Sequence, residues 1–366
     1  MNILMIGPFP DPVTGQSIAN LTVKNAFIKN GHSVEIIDTK STKIGDMSSQ
    51  GRLVTATLLK ALVQQFQVIL YLYRSNGCKV YITPGQTLLG FLRYAPSILA
   101  ANIFKYNVVL HFHGAYFGKM YEKASVFTQY LLRIFLARVN RIIVLGPSLK
   151  YMFKQSEGIE SKTICCANGI PNNLILSGQE LRDKHTKHDP SMIKIIYLSN
   201  LIESKGVLDL INAVRHLDES GYSVSLDICG YLDQSIKDRF HGCFKSIEHI
   251  CAYHGVVHGE KKKNLLAKNE IFCLPTYYPV EGQPISILEA YGQGCAVVTT
   301  DQGGIRDVFK DFENGKYCLP RDYKSIANAI LVCQNRFLKI SENNSKLSKY
   351  RFREEDFIGR VSEIID

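Results

Sequence analysis

Two glutamates, Glu281 and Glu289, stand eight residues apart within the segment CLPTYYPVEGQPISILEAYGQGCAVVTTDQGGIRD, which covers residues 273–307. Gly282 permits a bend, and Pro284 suits the first position of a helix, where its missing N–H costs nothing. The pattern therefore predicts that Glu281 lies in a loop before a helix and Glu289 about two turns into it. A helix N-terminus attracts phosphate, and carboxylates beside it can accept hydrogen bonds from sugar or ribose hydroxyls. Taken alone, two such glutamates are more often solvated charges, because glutamate is common near a helix start.

Two further residues have the position of ligand-binding groups. His113 follows a predicted strand over 107–112, and Lys205 lies between a predicted strand over 194–198 and a predicted helix over 207–217. In open α/β sheets the ligand crevice lies beyond the carboxyl ends of the strands, and a lysine there is well placed to meet a diphosphate. A lone histidine at a strand end is more often structural. His111 is predicted to face the other side of its strand and to serve only in packing.

The size and composition are those of a soluble protein with two domains. The chain has 366 residues, of which 46% are hydrophobic and 21% charged, which is enough for two separate cores. Its ten cysteines, among them the adjacent Cys165 and Cys166, form no C-x-x-C pair. They indicate reduced thiols in a cytosolic compartment and argue against a zinc site or a disulfide framework. The first residues show no secretory signal.

Positive charge is concentrated in the first half of the chain. The net charge is +10, and residues 1–172 contain 18 Lys and Arg but only 7 Asp and Glu. No acidic residue occurs between Asp46 and Glu122. This asymmetry predicts an anionic partner, which could be a membrane lipid, a phosphorylated acceptor or a nucleic acid. Because no nucleic-acid-binding motif accompanies the charge, we do not expect nucleic acid.

Strands and helices are predicted to alternate along the whole chain, which indicates parallel sheets in an α/β fold. We place a first domain at 1–172, a polar linker at 173–191, a second domain at 192–345 and a C-terminal helical segment at 346–366. Long helices are expected over 53–73, 88–104 and 119–141, as follows from their apolar periodicity.

Two of these helices raise the question of membrane contact. The helix over 53–73 is nearly apolar enough to span a bilayer, but its polar residues recur every three or four positions. That stripe favours a buried or surface-docked helix. The helix over 119–141 is basic and aromatic, so it either lies on a membrane surface or packs one face on the core.

The segment around Glu281 and Glu289, continued by Gly294-Cys295-Ala296-Val297-Val298 and Gly303-Gly304-Ile305-Arg306-Asp307, closely resembles the donor-site signature of the large retaining glycosyltransferase family four. The resemblance extends to the loop at Gly15, the strand end at His113 and the segment 199–206. It covers nearly the whole chain and implies the GT-B fold, in which two Rossmann-like domains face an interdomain cleft. One departure is Asn200, which stands where the family usually has arginine.

The resemblance also implies roles for individual residues. Glu281 would hold hydroxyls of the donor sugar, Glu289 those of the ribose, Lys205 the phosphates, and His113 would contact the donor sugar. The remaining donor-binding positions are Gly15, Asn200, Val256, Gly282, Gln283, Pro284 and Ile285. No Asp-x-Asp pair occurs in the sequence, so we expect neither a metal ion nor another cofactor.

The function implied is the transfer of a sugar, with retention at its anomeric carbon, from a nucleotide-sugar to a glycan. UDP is favoured by family frequency. The basic, aromatic first domain suggests a lipid-linked acceptor and a peripheral position at the inner face of the cell membrane, in the synthesis of bacterial surface polysaccharide or lipopolysaccharide. Two alternatives stay open: a GT-B nucleotide-sugar epimerase or phosphorylase, and a non-catalytic module that binds anions or membranes.

Overall fold

The computed structural model describes residues 1–10, 14–39, 52–75, 77–154 and 158–365, and for 52–60 it describes the backbone alone. The chain forms two compact units. Unit 1 comprises Met1–Asn168 together with Glu355–Asp366, and unit 2 comprises Gly169–Glu354.

Unit 1 is built on a parallel sheet of six strands in the order β2-β1-β3-β4-β5-β6. Its strands are rich in Val and Ile, which suit a sheet that is covered on both faces. The strands are β1 (Asn2–Gly7), β2 (Ser33–Asp38), β3 (Lys79–Ile82), β4 (Asn107–Phe112), β5 (Arg141–Val144) and β6 (Thr163–Cys165). The helices between them are α1 (Gly15–Lys29), α2 (Arg52–Arg74), α3 (Leu88–Leu92), α4 (Ala95–Ile103), α5 (Tyr116–Glu122), α6 (Val126–Ala137) and α7 (Pro147–Lys150).

Unit 2 repeats this architecture with six parallel strands in the order β12-β11-β10-β7-β8-β9. The strands are β7 (Met192–Leu198), β8 (Ser223–Cys229), β9 (Cys251–Tyr253), β10 (Ile271–Leu274), β11 (Ala296–Thr299) and β12 (Gly315–Tyr317). The helices are α8 (Gly178–Thr186), α9 (Val207–Glu219), α10 (Lys237–Lys245), α11 (Gly259–Lys268), α12 (Ile285–Gly292), α13 (Tyr323–Asn335) and α14 (Phe337–Arg351).

Each sheet has one point where the direction of strand addition reverses. In unit 1, β1 is paired with β2 on one side and with β3 on the other. In unit 2, β7 is paired with β8 on one side and with β10 on the other. The loops that follow the two strands at such a point diverge and leave a crevice at the carboxyl edge of the sheet, where ligands of α/β proteins bind.

The last helix of the chain, α15 (Glu354–Ile365), packs in unit 1. Phe357, Val361 and Ile365, spaced by four residues, are buried in the same apolar cluster as Ile3 and Met5 of the first strand. The Lys79 ammonium also donates a hydrogen bond of 2.5 Å to the carbonyl of Ile365. The first and last segments of the sequence therefore share one core.

The boundaries between the units differ from those expected. The chain passes into unit 2 at Gly169, and the polar stretch that we predicted as a linker belongs to unit 2. Ser177 forms a capping box with Glu180 and starts α8, and Lys184 of that helix donates to the carbonyls of Asn269 and Gln293 at 2.6 and 2.7 Å. The polar composition of this stretch led to the wrong prediction of a linker, because its capping residues and its carbonyl-bound lysine are polar but have structural roles. At the other end, α14 belongs to unit 2 and only α15 to unit 1.

Two of the long helices predicted in unit 1 are broken. The segment 88–104 forms α3 and α4, with Pro96 in the first turn of the second helix. Within 119–141, Ser125 has an extended backbone and its hydroxyl caps α6 by accepting from the N–H of Thr128. Apolar periodicity continues across both breaks because each pair of helices covers the same side of the sheet.

Helix α2 is a single helix as predicted, but its polar residues are not all on the solvent side. Gln64 is buried, and its amide donates to the carbonyl of Asp38 at 2.7 Å. Phe66 and Tyr73 are instead 66% and 74% exposed. The predicted stripe also included Thr57 and Lys60, whose side chains lie outside the described residues. Within the described part of the chain, no helix has both the length and the apolar character needed to cross a membrane.

Candidate active site

Lys205 and Glu281 form a largely buried ion pair at the reversal point of unit 2. Lys205 ends a short 3-10 helix after β7, and Glu281 lies in the loop after β10. Their Nζ and Oε2 atoms are 2.6 Å apart, and only 14% and 7% of the two side chains are exposed. The Thr276 hydroxyl donates to the same Oε2 atom at 2.9 Å. A charge-assisted pair with a third partner holds both side chains in one orientation.

Close backbone contacts fix the loops that hold this pair. Gly206, with φ +75°, would place a Cβ 2.3 Å from the carbonyl oxygen of Pro275. Gly303, with φ +56°, would place one 1.9 Å from the carbonyl oxygen of Glu281. Any larger residue at either position must push a loop away. The backbone of Gly303 therefore packs directly against the backbone of Glu281.

Tyr278 lies beside the pair. The Lys205 ammonium is 4.9 Å from the centre of its ring, a distance typical of cation–π contact. Burial, and to a lesser extent the Glu281 charge, raise the pKa of the Tyr278 phenol. The ring is therefore a neutral, partly apolar wall that limits the access of water to the ammonium.

A second ion pair involves Glu289. This residue is the fifth of α12, and its Oε1 lies 2.6 Å from the Nζ of Lys262 on α11. Three consecutive lysines, as at 261–263, usually form a solvated face, but the Lys262 side chain is only 22% exposed and pairs with Glu289. The helix also starts one residue later than predicted, since Pro284 is its N-cap with ψ 115°. Glu289 is thus just over one turn into the helix.

The other predicted donor-binding residues of unit 2 lie at the same carboxyl edge. Asn200 follows β7, and its carbonyl accepts a hydrogen bond of 3.2 Å from the Tyr197 phenol. Val256 lies in the loop after β9 and is 51% exposed. Between the two glutamates, the structure places two buried residues, Gly282 and Gln283, and two partly buried residues, Pro284 and Ile285.

Sequence reasoning missed one cation in this region. The Arg321 guanidinium lies 4.4 Å from the ring centre of Tyr277, whose N–H donates to the carbonyl of Ser204, next to Lys205, at 2.8 Å. Arg321 follows β12 and has φ +61°. Its positive charge lies at the same carboxyl edge as Asn200, where the family resemblance predicted an arginine, but only the fold brings it there. No local motif around residue 321 could have identified it.

Two predicted site residues belong to unit 1. Gly15 is the first residue of α1, after an N-cap at Thr14 that forms a capping box with Ser17. A Cβ at Gly15 would meet no atom within 4 Å, so the packing of unit 1 does not require glycine there. The Gln16 amide donates to the carbonyl of Thr83 at 3.0 Å, which ties the loops after β1 and β3 together. Residues 11–13 of the predicted loop lie outside the described residues.

His113 and His111 lie on one side of β4, contrary to our prediction for His111. Their ring centres are 4.0 Å apart, as expected because side chains two positions apart on a strand share a face. The Tyr81 phenol lies 2.5 Å from Nδ1 of His111. Burial lowers the pKa of His113 to about 3, and its enclosed Nε2 has no hydrogen-bond partner among the described residues. This neutral imidazole can still bind one polar group.

Residues 178–353, nearly all of unit 2, match the family model of the glycosyl transferases group 1. Unit 2 belongs to this family. The part of the chain that matches this family therefore contains both ion pairs, Lys205 with Glu281 and Lys262 with Glu289. The family predicted from the donor-site signature is confirmed.

Curated relatives share this part of the chain. An uncharacterized glycosyltransferase of Methanocaldococcus jannaschii, MJ1607, is 28% identical over 160 residues, which is 43% of this chain and 40% of that protein. The amylovoran biosynthesis glycosyltransferase AmsK of Erwinia amylovora is 27% identical over 156 residues, 42% of this chain and 37% of that protein. The chain therefore matches less than half the length of these relatives.

Solved structures resemble the chain over its whole length. A glycosyltransferase from Rickettsia africae superposes with a TM-score of 0.76 at 17% identity and covers 100% of this chain and 97% of its own. Anabaena HepE, solved in complex with UDP and glucose, superposes with a TM-score of 0.71 at 17% identity and covers 99% and 98%. At such identity the likeness concerns the fold, and the α/β GT-B fold with two Rossmann-like domains is confirmed.

Proposed function

We propose that this chain is a glycosyltransferase that moves a sugar from a nucleotide-sugar to a glycan acceptor. The observation that carries the proposal is the pair of Lys205 and Glu281 at the reversal point of a glycosyl transferases group 1 unit, with Glu289 at the same edge. A cation for phosphate and two carboxylates for hydroxyls are the groups that a nucleotide-sugar requires.

In this proposal Lys205 changes partner when the donor binds. Its ammonium turns from the Glu281 carboxylate to the diphosphate, and the released carboxylate accepts hydrogen bonds from the donor-sugar hydroxyls. Glu289 exchanges Lys262 for the ribose hydroxyls in the same manner. Neutral His113 offers its unpartnered Nε2 to a sugar hydroxyl. The other donor-binding positions predicted from the sequence remain part of the proposal.

The proposed reaction retains the configuration of the anomeric carbon. The bond between that carbon and the diphosphate oxygen breaks, the acceptor oxygen attacks from the same face, and the departing phosphate takes the acceptor proton. No side-chain nucleophile is needed. Lys205 and the helix N-termini at Gly15 and Ile285 balance the developing charge, so we propose that neither a metal ion nor another cofactor takes part.

We propose UDP-sugar as the donor, which is supported by the complexes of HepE with UDP and with UDP-glucose. For the acceptor we propose a growing, lipid-linked glycan of a bacterial surface polysaccharide. The names of AmsK and of the capsular polysaccharide biosynthesis glycosyltransferase CapM of Staphylococcus aureus support this acceptor class. We further propose that the basic unit 1 attaches the chain to an anionic membrane surface at its cytoplasmic face.

A thermal-shift panel of UDP, GDP, ADP and CMP tests the donor site, because a nucleotide that binds the native state raises its melting temperature. We expect UDP to stabilise the wild type, with EDTA present, and to lose that effect in Lys205→Ala and Glu289→Ala. Glu281→Ala should reduce transfer more than UDP binding. Stabilisation by none of the four nucleotides, or equal stabilisation of wild type and both variants, would contradict the proposed site.

A further inference from the structure

A pocket of about 480 Å³ opens at the amino ends of β4 and β5 in unit 1. It lies at the opposite edge of the sheet from His113, which follows the carboxyl end of β4. We call it the basic pocket because four cationic side chains line it: Lys105, Arg138, Arg141 and Lys162. The pocket is thus separate from every residue assigned above to sugar transfer.

Among the described residues, no negative charge compensates the basic pocket. None of its lining residues is acidic, and none of the four cations forms an ion pair with a described Asp or Glu. Positive side chains that converge on one cavity repel one another, and a concave site focuses their field. An anion that enters the pocket relieves this repulsion.

Two of the four cations have a structural role, because they cap the C-terminal end of α6. Lys162 donates to the carbonyls of Ala137 and Val139 at 2.7 and 3.1 Å, and Arg138 donates to the carbonyl of Ile134 at 2.8 Å. Cations at the last carbonyls of a helix stabilise it. Each of these side chains still has donors left, since an ammonium has three and a guanidinium five.

Capping does not account for the other two cations. The Lys105 ammonium donates to no described residue, and Arg141 makes only a 3.5 Å contact with the carbonyl of Asn140. Lys105 also has φ +60°, in the turn that ends α4, where its N–H bonds to the carbonyl of Asn102. Glycine or asparagine usually occupies such a position because other side chains are strained there.

Exposed apolar residues lie next to the basic pocket. Ile103 is 77% exposed and sits in the chain between Asn102 and Lys105, both of which line the pocket. Tyr73, 74% exposed, contacts the Phe104 ring with the ring centres 6.4 Å apart. Cations beside exposed aliphatic and aromatic residues are typical of surfaces that bind lipid headgroups.

We propose that the basic pocket binds a phosphate group, and the apolar neighbours favour the headgroup of an anionic phospholipid as its source. The inference rests on the membrane association proposed above and names the residues that produce it. It concerns the amino edge of the sheet, so loss of the pocket leaves the donor site untouched.

The test is sedimentation of the full chain with vesicles of phosphatidylcholine, with and without phosphatidylglycerol. We compare wild type with the triple variant Lys105→Gln, Arg138→Gln, Arg141→Gln. Lys162 is kept because it bonds two carbonyls at the end of α6, whereas Arg138 bonds one. Each cation near an anionic surface contributes to the affinity for the membrane, so we expect the triple variant to bind anionic vesicles about a hundredfold more weakly than the wild type. A matched triple variant that neutralises Lys29, Lys123 and Arg133, exposed cations of unit 1 outside the pocket, should bind almost as wild type.

Titration with inorganic phosphate separates the two sources of the anion. Suppose that the wild type binds phosphate but not vesicles, and that the pocket variant does not bind phosphate. The pocket then binds a soluble phosphate, and the proposed membrane association is wrong. Ile103→Gln should weaken vesicle binding and leave phosphate binding unchanged. Equal binding by the pocket and control variants, or no binding of either ligand by wild type, overturns the assignment. UDP-induced stabilisation, measured in parallel, reports on the proposed transferase independently.

Discussion

Replacement of Lys205 by methionine is the sharpest perturbation of the proposed mechanism. Methionine keeps most of the side-chain volume and removes the charge that faces Glu281 at 2.6 Å. Removal of one preorganised group that stabilises developing negative charge costs about 10²- to 10³-fold in turnover. We therefore expect Lys205→Met to lower the turnover number by about that factor.

The same substitution also affects stability. Among the described residues, it leaves the Glu281 carboxylate, with 7% of its side chain exposed, bonded to Thr276 alone. Breaking a buried ion pair by removing one partner costs about 3–5 kcal/mol, most of it from the charge that stays behind. The double variant Lys205→Met, Glu281→Gln removes that charge, so it should recover stability in urea unfolding but not turnover.

Lys194, on the strand β7 that precedes Lys205, offers a matched control. It pairs with Glu270 at 3.3 Å, but at the amino edge of the sheet, and Glu270 keeps His188 Nδ1 at 2.9 Å. Lys194→Met should lower stability less than Lys205→Met and leave transfer unchanged. Transfer is measured as sugar incorporation at saturating donor. If folded Lys205→Met stays within about tenfold of wild type, the ammonium does not stabilise the leaving group.

Three further predictions concern single positions. Gly15→Ala should leave the melting temperature unchanged, because a Cβ there meets nothing within 4 Å, yet lower transfer if the diphosphate approaches this backbone; unchanged transfer would contradict that role. Glu289→Gln should weaken UDP binding about 10- to 100-fold, the worth of a hydrogen bond to a charged group, as measured by calorimetry, whereas unaltered affinity would exclude the ribose role. His113 has a pKa of about 3 in the folded chain against an ordinary value of 6.5, so the unfolded state binds more protons between these values and the free energy of unfolding falls as the pH drops below 6.5. Urea unfolding should show roughly 2 kcal/mol of this loss at about pH 5. An equal dependence of stability on pH in His113→Asn and wild type would refute this prediction.

Local patterns predicted the elements that form the site better than the contacts within it. Strand-to-helix alternation led to both parallel sheets, and Gly294, just past the end of α12, has the φ of +63° that is common for a glycine at a helix C-terminus. The pairing of Lys205 with Glu281 spans 76 residues and that of Lys262 with Glu289 spans 27. No spacing rule relates such positions, because the strand order of the sheet decides which loops meet.

Two further misses have a common physical origin. The break at Ser125 depends on a hydroxyl that caps one helix, and periodicity alone does not reveal a cap inside an apolar run. The polar stretch 173–191 was predicted as a linker although Lys184 of that stretch binds carbonyl groups of unit 2. In both cases a polar side chain satisfied backbone groups instead of facing solvent.

The two ion pairs give each buried carboxylate of the proposed donor site a charged partner. Glu281 and Glu289 have 7% and 9% of their side chains exposed, and a buried charge without a partner is costly. Lys205 and Lys262 are those partners in the absence of ligand. A donor that brings a diphosphate and several hydroxyls can replace the lost contacts, because Lys205 takes the diphosphate and the two carboxylates take the hydroxyls. On this argument the exchange leaves neither Lys205 nor the two carboxylates without a partner, so binding avoids the cost of an unpaired buried ion. A neutral sugar alone offers no anionic group for the ammonium of Lys205, and it should therefore bind far more weakly than UDP.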